Sequence, residues 1–428
     1  MDDKDQIRSE SESEPPISPD IIPNGGLQAW IQVVGAHFIF FNSWGISNTF
    51  GDYQLYYETN ILSTMSASSI SWIGTVQGFL LVGFGGLAGP LYDKGYFRLL
   101  LVLGTFLVVF GMMMTSVATQ YYQIFLAQGI CTGLGMGMIF VPGVSSISAY
   151  FSTKRATAMG IAAAGGGLGG VIYPIIFRQL IDMIGFGWTT RIIAFIALAT
   201  LGPTIVVMKR RAGSNSLSPK YLDMSMFSDG SFMVFSAGLF LAFIGNYIPS
   251  FYIPRFDQGK LHASQDFSLY LLSIYNAASI FGRVLPNLLA DRFTPLSVLI
   301  PCPFIAAILA FGWIGIDSTA SLIVFCILYG FVSGTMISLP PSVVATALCD
   351  DLQVIGSRMG MSCAFASLGF LIGNPIAGAL EGSGSTPTFV NAQAFCGAVL
   401  CGSGMLFIVV LWIKQGGEKA LLRRCFIC

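Results

Sequence analysis

The sequence predicts an all-α membrane protein, with twelve transmembrane helices in two pseudo-symmetric six-helix bundles. Three observations carry that prediction. Of 428 residues, 54% are hydrophobic and only 10% charged, with a mean hydropathy of +0.73, whereas soluble domains carry about 25% charged residues. Apolar stretches of about 20 residues, long enough to cross a bilayer as helices, recur along the chain. The longest hydrophilic break, KRRAGSNSLSPKYLDMSMFSDG at 209–230, follows the sixth of them.

In chain order, residues 1–26 are expected to form a disordered cytoplasmic tail, since they open acidic and serine-rich with Pro15, Pro16 and Pro19. No signal peptide is visible, so the first span is expected to serve as the targeting signal. The N-terminal bundle (27–208) holds spans at about 29–50, 68–91, 98–118, 121–144, 156–181 and 189–208. A cytoplasmic linker (209–230) leads to the C-terminal bundle (231–413), with spans at about 231–252, 267–290, 296–315, 320–344, 356–380 and 390–413. Residues 414–428 form a cytoplasmic tail. Its end, Cys425-Phe426-Ile427-Cys428 behind Arg423-Arg424, fits a prenylation pattern with an unusual last residue, but a polytopic chain needs no lipid anchor.

Cations set the orientation, because loops on the cytoplasmic side collect lysine and arginine. With the N-terminus inside, the inner loops hold Lys94, Arg98, Lys154, Arg155, Lys209, Arg210, Arg211, Lys220, Arg292 and Arg358. The outer side keeps Arg178, Arg191, Arg255 and Lys260. Both tails are therefore expected in the cytoplasm.

The two halves echo each other. GPLYDKGYFR (Gly89 to Arg98) joins the second and third spans, and NLLADRF (Asn287 to Phe293) joins the eighth and ninth. Each places an aspartate before a cation, Asp93-Lys94 and Asp291-Arg292. Two similar bundles around a central site suit rocking.

Composition also excludes. The formal net charge is zero, which gives nucleic acid nothing to bind. Most of the nine cysteines sit inside apolar runs without metal-ligand spacing, and two histidines cannot complete a zinc site. No nucleophile–base set and no paired intramembrane carboxylates can be assembled, so an enzyme is not expected, and no cofactor is called for.

The stretch YFSTKRATAMGIAAAGGGLGG (Tyr150 to Gly170) sets two cations before a glycine- and alanine-rich run. Glycine costs about 1 kcal/mol relative to alanine in a soluble helix, but in a membrane small residues let helices approach closely. The run is read as packing and hinge material. This stretch resembles the fifth-span signature of the monocarboxylate porter family within the major facilitator superfamily, and GPLYDKGYFR is similar to the superfamily's loop motif. Asn24-Gly25-Gly26 through Trp30, Ser43-Trp44-Gly45, Asn48-Thr49-Phe50-Gly51, Gly282-Arg283 and Ser357-Arg358-Met359-Gly360-Met361 resemble its fungal branch. The resemblance covers about residues 23–413. It implies the major facilitator fold and alternating access, with Gly89, Asp93, Lys94, Gly95 and Arg98, Lys154 and Arg155, and Asp291 and Arg292 as gating residues. Asp93 lies near a helix C-terminus, where a carboxylate needs a cation or a neighbouring helix N-terminus to compensate the local dipole.

Arg283 is the charge committed to a span, where a cation costs about 2.5–3.5 kcal/mol, so it defaults to a functional reading. Its planar fork matches a carboxylate, and the resemblance implies substrate binding there. The family pattern fails at two places. Ser279 stands where animal carboxylate porters carry an acid, and Asn48 where they carry a lysine. Those changes favour a larger, less charged solute that hydrogen-bonds to Asn48 and Asn276. Tyr173, Asn246 and Tyr275 complete the candidate substrate-binding set, and Trp44, Tyr247, Tyr329 and Asn374 are further candidates for lining a cavity. His37 reads as a packing residue. Asp52, Glu58, Asp182 and Glu381 fall near outer helix ends and are expected to be solvated, with Asp52 the carboxylate to test first for proton coupling. The fifth span lacks the drug-antiporter Gly-Pro signature, and Phe125 stands where such proteins carry an arginine.

The expected function is secondary transport of a small organic solute, a carboxylate or a fungal secondary metabolite, with export as one direction and protons as a candidate coupling ion. Proton-coupled uptake of a monocarboxylate or nutrient is the alternative, and a transporter-like nutrient sensor is the alternative of another class. The plasma membrane is the expected location.

Overall fold

The computed structural model describes residues 24–211, 224–261, 265–349, 351–380 and 389–416. The bulk of the N-terminal tail, the middle of the linker with Lys220, Glu381 and Cys425 lie outside the described residues.

Among the described residues the chain is helical throughout, and the helices follow the apolar stretches. We number them α1 (Leu27–Asn48), α2 (Ser68–Asp93), α3 (Phe97–Thr115), α4 (Tyr121–Ser148), α5 and α6 as the arms 155–184 and 186–207 of Arg155–Val207, α7 (Gly230–Lys260), α8 (Gln265–Ala290), α9 (Pro295–Trp313), α10 (Thr319–Ala347), α11 (Ile355–Leu380) and α12 (Val390–Lys414). The bend between α5 and α6 is Gly185, at φ 76°, a left-handed conformation that glycine adopts without a Cβ clash. Side chains punctuate several starts. Ser66, Asp229, Thr294 and Ser318 each accept a backbone N–H at a helix N-terminus.

Among the described residues, nine segments are long and apolar enough to cross a membrane, the continuous Arg155–Val207 counting once. The helices α1 and α8 are not among them. Both carry polar residues inside an otherwise apolar run, among them Asn42, Ser43, Asn48, Asn276, Ser279 and Arg283. The helix after α1 also continues further than the apolar stretch, through Phe50–Tyr56.

The two halves meet along two helix pairs, α5 against α8 and α2 against α11, and α1 is packed into the groove of α5 and α6. Glycines make these approaches possible. A Cβ on Gly356 of α11 would stand 2.6 Å from the Gly89 carbonyl of α2, and one on Gly167 of α5 would stand 2.7 Å from Ile280 of α8. The loops rich in cations collect at the end carrying Asp93 and Asp291, where Asn24 also sits, its side chain accepting from the Ser152 and Thr153 N–H groups.

Candidate functional site

The end carrying Asp93 is closed by two carboxylates. Asp93 accepts the backbone N–H of Gly356 at 2.9 Å and of Ser357 at 2.7 Å, and the Ser357 hydroxyl at 2.6 Å. Asp291 accepts the N–H groups of Ala156 and Thr157, each at 2.9 Å. Each carboxylate thus serves the N-terminal turn of a helix in the other half, α11 and α5, where unsatisfied N–H groups and the helix dipole favour an anion. A helix N-terminus is the compensation that the position of Asp93 calls for.

The neighbouring gating candidates fill different roles. Arg155 is buried and donates to the carbonyls of Phe151, Ser148 and, across the halves, Ala345 at 2.7 Å. Gly95 takes φ 97°, the tight turn that the motif requires. Lys154, Arg98 and Arg292 are exposed, and Lys94 is half-buried. Arg210, at the start of the linker, donates to the Asp93 carbonyl at 2.6 Å and lies over the Tyr92 ring.

Toward the opposite end the halves separate around a cavity of about 430 Å³. Its lining includes Trp44, Asn48, Phe50, Tyr247, Phe251, Tyr275, Asn276, Ser279, Arg283 and Phe370. Gln54, Glu58, Arg255 and Gln258 also line it, on the turns of α7 and the α1 extension furthest from the closed end. Asn48 donates to the Asn276 side chain at 3.2 Å, joining α1 to α8. Asn276 also donates to the Gly170 carbonyl, and Arg283 donates to the Ala163 carbonyl at 2.6 Å, so both tie α8 to the glycine-rich face of α5. Gly166 makes room for this arrangement, because a Cβ there would stand 2.5 Å from Arg283 Nη1.

The chemistry of this lining is one-sided. Among the described residues Glu58 is the one carboxylate of the lining, hydrogen-bonded to Gln54, against Arg255 and Arg283. Among the described residues, three buried donors on the lining have no hydrogen-bond acceptor, namely Arg283 Nε, Trp44 Nε1 and the Tyr247 hydroxyl. An unsatisfied buried donor costs about 1–3 kcal/mol, and a bound acceptor removes that cost.

Of the six substrate-binding candidates, Arg283, Asn48, Tyr275 and Asn276 line the cavity, and so do Trp44 and Tyr247. Tyr173 and Asn246 are not on the lining. The Tyr173 hydroxyl donates to Asn42 at 2.6 Å between α5 and α1, and Asn246 is buried on α7. Tyr329 stands behind Tyr275 with its ring stacked on it, and His37 bonds the Ile161 carbonyl at 2.8 Å as a packing residue. Asp52 corrects an expectation. It is 6% exposed and paired with Arg178 at 2.7 Å, because the helix after α1 folds it against α5 rather than into solvent. Asp182 is exposed as expected. Gln54, Arg255 and Gln258 were not singled out, since at sequence level they read as residues of a helix end.

Comparison with known proteins agrees with this architecture. The pattern of the Major Facilitator Superfamily matches residues 33–353. The MFS-type transporter dbaD of Emericella nidulans is 41% identical over 91% of this chain and 87% of its own length. The aspyridones efflux protein apdF of the same organism is 39% identical over 98% and 86%. In structure, the human organic anion transporter MFSD10 superposes with a TM-score of 0.67 at 14% identity, covering 91% of this chain and all of that one.

Proposed function

The chain belongs to the Major Facilitator Superfamily of membrane transporters of small organic solutes, and from that premise we propose that it exports an acceptor-rich organic solute of fungal secondary metabolism. The observation that carries the reading is the cavity between the halves, aromatic-walled, with Arg283 on its lining and three donors awaiting acceptors. A conjugated solute with a carboxylate or enolate oxygen fits it. Stacking on Trp44, Tyr247 and Phe370 supplies contact area, and Arg283 supplies the charge-assisted bonds. The relatives support export, since apdF is described as an efflux protein.

In this reading the chain sits in the fungal branch of the monocarboxylate porters and in the plasma membrane. Its closed, cation-rich end faces the cytoplasm, by the positive-inside rule. The halves 27–208 and 231–413 rock about the cavity as the Asp93 and Asp291 contacts form and break. Arg283, Asn48, Tyr275 and Asn276 hold the solute. Tyr173 and Asn246 shape the helix contacts behind them.

The test is metabolite profiling of cells and medium, with the gene intact, deleted, and carrying Arg283→Ala at matched surface expression. Export requires one compound to accumulate inside deleted cells and Arg283→Ala cells. A compound left unconsumed in the medium of deleted cells identifies an uptake carrier instead. Normal efflux by Arg283→Ala removes the arginine from the solute site.

A further inference from the structure

A second, smaller cavity of about 40 Å³ lies between the first one and the closed end. Position along the helices fixes that order. Its lining residues Pro340 and Pro341 on α10, and Leu239 and Phe243 on α7, lie nearer the closed end than the residues of the same helices around the first cavity, and Val141 and Val144 sit in the last turns of α4 before that end. So do Met359, Ser362, Cys363 and Ala366 on α11. Below it Ser145 meets Met359 across the halves at 3.6 Å.

The two cavities share two lining residues, Trp44 and Ile337. Trp44 is 2% exposed, its ring parallel to Tyr247 of the other half with centroids 5.8 Å apart, and edge-on to Phe140 at 6.1 Å. The compartments differ in chemistry. The outer one carries Arg283, Asn48 and Asn276, while among the described residues the inner one has no charged side chain and, besides the Trp44 indole, takes its polar side-chain atoms from Ser362 and Cys363.

We propose that Trp44 is the partition of the transport path, and that the inner compartment is a binding site for the uncharged apolar portion of the solute. The solute is then amphipathic. Its acceptor end reaches Arg283 while its apolar end occupies the space lined by Val82, Phe140, Met359 and Ala366, once the indole turns aside. This rests on the transport reading above, and it adds a specificity element that the Arg283 site does not contain. Tryptophan suits the role, since it is large enough to fill the bottleneck and its loss merges the two spaces.

Cys363 is a native reporter inside the inner compartment. Intact cells are treated with a membrane-impermeant methanethiosulfonate added outside, and modification of Cys363 is read by peptide mass spectrometry. A Gln54→Cys variant marks the cavity mouth, and Cys363→Ser checks the assignment. With Gln54→Cys reactive, Trp44→Ala is expected to raise the Cys363 rate at least tenfold over the wild type, and Trp44→Phe less than threefold. Equal rates in the wild type and Trp44→Ala overturn the partition. If Gln54→Cys is unreactive from outside, the assigned sidedness is wrong, and inverted vesicles carry the same comparison from the other face. Ala366→Phe, which fills the inner compartment, is expected to cut transport at least tenfold while Gln54→Cys keeps its reactivity. Undiminished transport in that variant overturns the apolar site.

Discussion

Asp93 at the end of α2 and Asp291 just past the end of α8 hold corresponding positions in the two halves, and each accepts two backbone N–H groups from the first turn of a helix in the opposite half. The closed end is therefore held by a reciprocal pair of carboxylate-to-helix contacts rather than by side-chain ion pairs alone. Charge-assisted bonds of this kind contribute about 1.5–3 kcal/mol each.

Asp93→Asn and Asp291→Asn should each loosen that end. The amide places an NH₂ group against the N–H groups and loses the charge, shifting the equilibrium toward opening by about tenfold or more. A Ser145→Cys reporter, buried between the inner cavity and the closed end, should react faster in each single variant and fastest in the double. Unchanged reactivity in both single variants would deny the carboxylates any latching role.

Gly89→Val should block closure without unfolding the chain. The Gly356 backbone lies directly against the position of the new Cβ, and a carbonyl cannot swing aside as a side chain can. Transport is expected to fall at least tenfold, with the Ser145→Cys reporter more reactive. Gly202→Ala, which meets nothing within 4 Å, serves as the neutral control. Equal transport by Gly89→Val and the control would show that α2 and α11 do not need this approach.

Asp52 and Arg178 form a mostly buried pair, 6% and 18% exposed. Removing one partner of such a pair leaves the other charge uncompensated, at a cost of about 3–5 kcal/mol, whereas an apolar replacement of both is often neutral. Asp52→Ala and Arg178→Ala should each lower the unfolding temperature of the detergent-solubilised protein, and Asp52→Leu with Arg178→Met should recover most of the loss. A double variant as unstable as the sum of the singles would contradict the pairing.

Asn48 and Asn276 join the halves at the cavity through one hydrogen bond. Asn48→Leu and Asn276→Leu should each reduce transport about three- to tenfold. The effects should not add, because residues sharing one bond couple in a double-mutant cycle. Additive losses would mean that the bond between the two amides plays no part in holding the solute.

The fold was legible because the bilayer imposes a simple rule on sequence. Backbone groups in hydrocarbon must be satisfied within a helix, so runs of about 20 apolar residues announce the spans. Gly95 and Gly185 could announce turns, since positive φ excludes most other residues. Arg283 could be singled out because an intramembrane charge is expensive. Asp52 was misread for the same kind of reason. Its position near a helix end suggests water, and nothing local reveals that Arg178, 126 residues away, folds against it. Tyr173 and Trp44 both read in sequence as aromatics that could face a cavity, yet one packs between α1 and α5 and the other lines the cavity.

The sequence by itself determined the helices, the family signature, the gathering of cations at one end and the charge at Arg283, all of which follow from local composition and spacing. Only the tertiary structure decided that the carboxylates of Asp93 and Asp291 meet helix N-termini across the halves. It likewise decided which polar residues share the cavity, and that Trp44 stands between two compartments. These are contacts between residues far apart in the chain, set by how glycine-bearing helices pack, and packing depends on the shapes of both partners at once.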